Sequence, residues 1–492
     1  MSIRRASFSI LWGFLLVSAP VIAGEVEHAS AVTAELSVDG VLTLLEEGKF
    51  EEALADSSLL FDTEMPAPDV RAAHGRVLLR AGRLRESAEV LGPLADDPQA
   101  PGAGLISLAR LRGFRGHHEE AAVLAERALE RSPDDPFCLF WAAEMVLDRE
   151  RSNELIRRYL ELAPEEHEDW IVAARGTLGM RDVLGERQIW RVSRAPERVE
   201  LPLRRVWNDN RNMLGYVVEA RIGPKDKPVK LMLDTGSTGL FLVERMARKR
   251  GFEFLAEETA FGGGGDQRHR NRRGLFSSFR LGELRFEDAL AGTTKSELEP
   301  YGRFHGLLGI QALSGYRATL DLKAQKLILV RDDSAPDDFS GDPFWMVSGQ
   351  MLVEAEAGQA QRGLFLFDTG ATWSILSNRF ARGLDGVRME RIRGLRGFGG
   401  EIEGASVVRG TEVRFSGLTS GAEALRAFDM TLRNAVAAVE VSGYIGLDLL
   451  GGTRITIDTV SQEVLVERDG SRPQSKDSSS SSNRSSPLNA AR

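Results

Sequence analysis

Two stretches of the chain carry the same instruction. Leu231-Met232-Leu233-Asp234-Thr235-Gly236-Ser237-Thr238 is answered further along by Leu364-Phe365-Leu366-Phe367-Asp368-Thr369-Gly370-Ala371-Thr372. Each is a charge-free apolar run that ends in a carboxylate, a hydroxyl and a glycine. A short run of this kind reads as a strand buried on both faces. An Asp at its end is costly to bury unless it is hydrogen-bonded or shares its charge. Two such sites in one chain predict that each is the other's partner.

The match extends in both directions. Val218-Glu219-Ala220 and Val353-Glu354-Ala355 precede the two aspartates at almost the same distance, each on an alternating segment that turns back into the apolar run. Downstream, Gly306-Leu307-Leu308-Gly309 answers Gly443-Tyr444-Ile445-Gly446, again at nearly equal spacing from the Asp of its own copy. Arg317-Ala318-Thr319-Leu320-Asp321 then answers Arg454-Ile455-Thr456-Ile457-Asp458. Four landmarks in one order mark an internal duplication of units roughly 120 residues long.

Two Asp-Thr-Gly sites, each followed by an apolar-apolar-glycine segment, resemble those of aspartic proteases. The unit size is similar to that of the retroviral, homodimer-forming type (retropepsins), with both lobes fused in one chain. The resemblance implies that Asp234 and Asp368 form the catalytic dyad, with Thr235 and Thr369 hydrogen-bonding across the lobe boundary. It implies that Gly236 and Gly370 let backbone N–H groups approach the carboxylates. Ser237 is expected to support Asp234, a part Ala371 cannot play for Asp368. Gly309 and Gly446 would let a strand pass close beneath each loop. Flaps are expected at Gly262, Gly263, Gly264 and Gly265 and at Phe398, Gly399 and Gly400, because glycine runs permit hinge motion. Trp373 fits either the cleft or the core.

The chemistry follows from the carboxylates themselves. Two of them within hydrogen-bond reach cannot both ionise cheaply, so one keeps a proton. The pair can then activate water and protonate a carbonyl, which is general acid–base hydrolysis without a metal or other cofactor. No His-Glu-x-x-His spacing or Gly-x-Ser-x-Gly elbow points to a zinc or serine hydrolase. The other reading is a protease-like module that grips peptides without cutting them.

Upstream, Leu and Ala recur at helical spacing. Gly48, Gly82 and Gly116 are evenly spaced, each at the junction of two helical segments. Their period of about 34 residues and the small residue at the turn resemble tetratricopeptide repeats. Such an array implies either a surface for a protein partner or a spacer. A fourth unit at that period is expected to begin near Glu150, where Asn153-Glu154-Leu155 starts another helix without the glycine.

Arg4 and Arg5 before an apolar stretch from Phe8 to Val17, then Val21-Ile22-Ala23, read as a secretory signal cleaved before Gly24. The expected location is therefore the periplasm of a bacterial envelope, or secretion, with no membrane span after cleavage. The formal net charge of −9 argues against nucleic acid as a partner. Cys138 is the only cysteine and reads as a small core residue, so no thiolate metal site is expected.

The expected architecture is multidomain, an all-α helical repeat region followed by an all-β, double-lobed acid-protease-like barrel. It places a signal segment at 1–23, helical repeats at 36–185, a linker at 186–212 and a first lobe at 213–331. An inter-lobe connection at 332–343, a second lobe at 344–468 and a disordered tail at 469–492 follow. The lobes are expected to pair within one chain, as a monomer acting on a peptide or protein substrate.

Overall fold

The computed structural model describes residues 36–468 apart from 64, 208–212, 262–267, 295–303, 337–338, 398–399 and 421–423. Residues 1–23, read as a secretory signal, and 469–492, read as a disordered tail, lie outside the described residues. Among the described residues no helix is long and apolar enough to cross a membrane.

Among the described residues nine α-helices fill the region from Val38 to Leu184, and a β-rich region follows. The glycine period has a direct cause. Gly48, Gly82 and Gly116 take φ of +75°, +76° and +77° just past the helices Val38–Glu46, Pro68–Arg80 and Gly102–Phe114. The next residue's N–H then reaches back to a carbonyl of the last turn: Lys49 to Leu44, Arg83 to Leu78 and His117 to Arg112, each at 2.9 Å. This is the left-handed helix stop in which glycine carries no Cβ penalty. Where the period loses its glycine, the helix Arg149–Leu162 is started by the Asp148 carboxylate, which accepts from Arg151 N–H at 2.7 Å. The helix thus begins beside Glu150, where the period places a fourth unit, and Asn153 lies inside it, not at its start. Cys138 is fully buried in the helical core.

The helical region does not stand apart as a spacer. Leu79, Leu105, Leu108 and Leu139 share one hydrophobic cluster with Trp345, Leu352, Leu364, Leu366, Val441 and Tyr444 of the second β unit. Polar contacts fix the seam. Arg115 Nη1 donates to the carbonyls of Phe344 at 2.5 Å and Gln462 at 3.1 Å. Glu440 N–H donates to the Arg80 carbonyl at 2.8 Å. A Cβ on Gly82 would lie 2.3 Å from the Glu440 carbonyl oxygen, so the helix turn seats its backbone directly on the β unit.

The segment read as a linker carries three strands, Arg191–Arg194, Arg198–Pro202 and Arg204–Trp207. They pair with Leu284–Thr294, Lys326–Arg331 and Met213–Ile222. Arg198–Pro202 is short and exposes most of its residues, with Val199 alone buried, so its polar face gives it a linker's composition.

From Met213 onward the two β units repeat one pattern. Met213–Ile222 pairs antiparallel with Lys227–Leu233, and Gln350–Ala357 with Gln361–Phe367. A later strand then inserts beside the apolar run. Gly306–Leu308 lies parallel to Lys227–Leu233 and antiparallel to Leu240–Val243. Gly443–Ile445 does the same between Gln361–Phe367 and Ile375–Ser377. Each apolar run is thus central in its sheet, and its residues Leu231 to Leu233 and Leu364 to Phe367 are buried on both faces, which explains their lack of charge.

The duplicated Arg-x-Thr-x-Asp segments meet each other. Tyr316–Asp321 and Arg454–Asp458 pair antiparallel, with Thr319 opposite Thr456 and their hydroxyls 3.1 Å apart. On either side of this point Arg317 reaches Asp458 at 2.5 Å and Arg454 reaches Asp321 at 3.7 Å. The sheet continues outward through Lys326–Arg331 and Arg198–Pro202 on one side, and Glu463–Glu467 and Asp342–Val347 on the other. One sheet therefore joins the two units.

Candidate active site

Asp234 and Asp368 follow directly on the ends of their buried strands, and the inserted strands pin them there. Asp234 N–H donates to the Leu308 carbonyl and Asp368 N–H to the Ile445 carbonyl, both at 3.0 Å. Gly309 and Gly446 follow these carbonyls at the tightest points. A Cβ on Gly309 would stand 2.1 Å from the Ser237 carbonyl oxygen, and one on Gly446 2.5 Å from the Trp373 carbonyl carbon. No side chain fits at either place.

The threonines tie the two loops together. Thr235 Oγ1 donates to the Phe367 carbonyl at 2.6 Å and accepts from Thr369 N–H at 3.0 Å. Thr369 Oγ1 donates to the Leu233 carbonyl at 2.9 Å and accepts from Thr235 N–H at 3.2 Å. Each hydroxyl thus satisfies two buried backbone groups, one of each kind. This reciprocity within one chain brings Asp234 and Asp368 face to face.

The glycines measure how close that approach is. A Cβ on Gly236 would fall 2.6 Å from the Asp368 carboxyl carbon, and one on Gly370 2.6 Å from that of Asp234. The Asp368 carboxylate accepts from the N–H groups of Gly370 at 2.8 Å and Ala371 at 3.1 Å. Asp234 is supported by the backbone N–H groups of Gly236 and Ser237 and by a hydrogen bond with Asp368. Ser237 thus supports Asp234 through its backbone.

The two carboxyls titrate as a pair. Burial first, then the charge and hydrogen bond of Asp368, push Asp234 well above the usual carboxylate range. Burial raises Asp368 as well, but the Gly370 N–H, the Asp234 hydrogen bond, the Ala371 N–H and the positive charge of Arg433 oppose it. Both carboxyls are thus raised, and the proton that one of them keeps belongs to the pair.

Five further hydrogen bonds bear on the loops. The Gln350 amide Nε2 donates to the Gly236 carbonyl at 2.7 Å, and its Oε1 accepts from Arg433 at 2.5 Å. Ser374 donates to Asp448 through N–H at 2.6 Å and Oγ at 2.7 Å, and its Oγ accepts from Gly446 N–H at 3.1 Å. A lone carboxylate at Asp448, amid Gly446-Leu447-Leu449-Leu450, was the sequence signal for this brace.

Trp373 is half-buried, with the Arg426 guanidinium 4.7 Å from its ring centre. Of the expected flap residues, Gly262, Gly263, Gly264, Gly265, Phe398 and Gly399 lie outside the described residues. They fall between the paired strands Glu253–Phe261 and Arg268–Leu281, and between Arg396–Gly397 and Gly400–Glu401, which includes Gly400. In the basic run Arg268 to Arg273, Arg272 pairs with Glu244 at 2.9 Å.

A family model described as aspartyl protease matches residues 218–312. The matched stretch runs from the strand before Asp234 through Gly309, so the first β unit is similar to that family. A search of curated proteins finds no match for the chain.

Proposed function

We propose that the protein is an exported aspartic endopeptidase, with Asp234 and Asp368 as its catalytic dyad in two tandem Asp-Thr-Gly lobes. The observation that carries this reading is the reciprocal approach of the two loops, so close that a Cβ on either loop glycine would lie 2.6 Å from the opposite carboxyl carbon. In this reading a water bound between the carboxyls gives a proton to ionised Asp368 while its oxygen attacks the scissile carbonyl. Asp234 donates its proton to the carbonyl oxygen, which yields a tetrahedral diol. On collapse the leaving amine takes the proton from Asp368, the C–N bond breaks, and a diol hydroxyl returns a proton to Asp234. Thr235 and Thr369 hold the geometry, and the glycine runs Gly262 to Gly265 and Phe398 to Gly400 act as flaps. The helical array, read as tetratricopeptide-like, engages a protein partner through the surface that the second β unit leaves uncovered. The chain works as a monomer in the periplasm or after secretion.

The test is cleavage of an unfolded protein mixture by the full chain and by its Asp234→Asn and Asp368→Asn variants at acid to neutral pH, with a statine-containing peptide as inhibitor. Each variant is expected to lose activity by about a hundred- to ten-thousandfold. A variant that cuts as well as the unaltered chain overturns the mechanism. Equal peptide binding by all three, with cleavage by none, would make the protein a peptide-binding module instead.

A further inference from the structure

The short helix Thr431–Ala437 lies between the helical region and the dyad. Two arginines of the helical region reach it. Arg80 Nη1 donates to the Asn434 carbonyl at 2.9 Å, and Arg110 Nη2 to the Ala437 carbonyl at 3.3 Å. These are carbonyls of the last turn, where a cation is favoured; that of Asn434 also accepts from Val439 N–H at 3.3 Å. Arg110 is fully buried and stacks 3.6 Å from the Trp141 ring centre, so the point from which it reaches is rigid.

On its other side the same helix carries Arg433. Its guanidinium donates to Gln350, and Gln350 donates to the carbonyl of Gly236 in the Asp234 loop. Among the described residues no carboxylate is paired with Arg433, and its Nη1 is buried without a protein partner. The first β unit has no matching amide. When Val218-Glu219-Ala220 is aligned with Val353-Glu354-Ala355, Gln350 falls on Gly215, where a side chain would strike the Met232 sulfur at 2.7 Å.

We propose that Arg433 and Gln350 are positioning residues, which hold the Gly236 carbonyl and set a cation beside Asp368, so that the helical region anchors the dyad loops. This rests on the protease reading above. Among the described residues the ionisable groups that act on or respond to the Asp368 carboxyl are Asp234, Arg433 and Tyr444, whose ring centre lies 5.7 Å from the Arg433 guanidinium. Arg433 is the one cation among them and favours the ionised form of Asp368, so its loss raises the pH at which Asp368 ionises.

The test uses the full chain with Arg433→Gln, Arg433→Lys and Gln350→Met. Gln350→Met removes both hydrogen bonds and keeps the charge, so kcat falls about tenfold with KM little changed and the acid limb of kcat/KM in place. Arg433→Gln lowers kcat likewise and moves that limb to higher pH by about one unit, and Arg433→Lys moves it back. A role confined to folding would lower the yield of active protein without moving the limb. A second readout needs no turnover: carbon-13 titration of the two aspartate carboxyls, identified by their loss in Asp234→Asn and Asp368→Asn. If the unaltered chain does not cut, the protease reading falls, and a shifted titration in Arg433→Gln still upholds the positioning role. A folded Arg433→Gln protein whose dyad titrates as in the unaltered chain overturns it.

Discussion

Replacing Thr369 by Val keeps the shape of the side chain and deletes only its hydroxyl. Two bonds go with it, the one donated to the Leu233 carbonyl at 2.9 Å and the one accepted from Thr235 N–H at 3.2 Å. Both orphaned groups belong to residues at most 3% exposed, so water does not replace the hydroxyl readily. A buried backbone group left without a partner costs about 1–3 kcal/mol, so the pair costs about 2–6 kcal/mol. The bonds that Thr235 makes in the other direction survive, so the loss falls on local opening of the two loops rather than on the whole fold. Hydrogen–deuterium exchange of peptides spanning 231–240 and 364–374 reads it directly. At about 1.4 kcal/mol per decade, exchange there speeds up by at least roughly thirtyfold, while the helical peptides are unchanged. Thr235→Val gives the same result through Phe367 and Thr369, because the four bonds share no backbone group. Exchange within threefold or so of the unaltered chain in both peptides would refute the claim that these hydroxyls hold the loops together.

Two further outcomes follow from single contacts. Gly370→Ala puts a methyl 2.6 Å from the Asp234 carboxyl carbon; the carboxyls must part, and peptide cleavage is expected to fall about a hundredfold with the circular dichroism melt little altered. Asp332, half-buried and beside Asp458, is raised from the usual 3.8 to about 6, chiefly by burial. It binds a proton more tightly folded than unfolded, so its contribution to stability is full below about pH 4 and is lost as pH rises through 6. Asp332→Asn should therefore melt higher than the unaltered chain at pH 8 and alike at pH 4; an equal melting temperature at pH 8 contradicts the assignment.

The parts legible in the sequence are those that a local pattern dictates. A strand buried on both faces must be apolar, so both Asp-bearing runs stood out, and the inserted strands were marked by glycines that no side chain could replace. The even glycine period of the helical region was legible because each position takes a left-handed φ. What was missed depends on residues far apart in the chain. Gln350 meets Gly236 across 114 positions and Arg433 across 83, and neither contact leaves a periodicity behind. The strands within 186–212 escaped because they are short and carry arginines on their exposed positions. The Arg-x-Thr-x-Asp copies were seen as a repeat, but only the antiparallel register shows that each arginine belongs to the other copy's aspartate.

The contact between helices and second β unit also has a history in time. The helices leave the ribosome first, and the side chains of Leu105 and Leu108 wait for Leu364 and Tyr444. At ordinary elongation rates that wait is roughly half a minute. Throughout it a greasy surface lies open to other nascent chains. The order in which this protein is made, more than its finished stability, sets when it is most prone to aggregate.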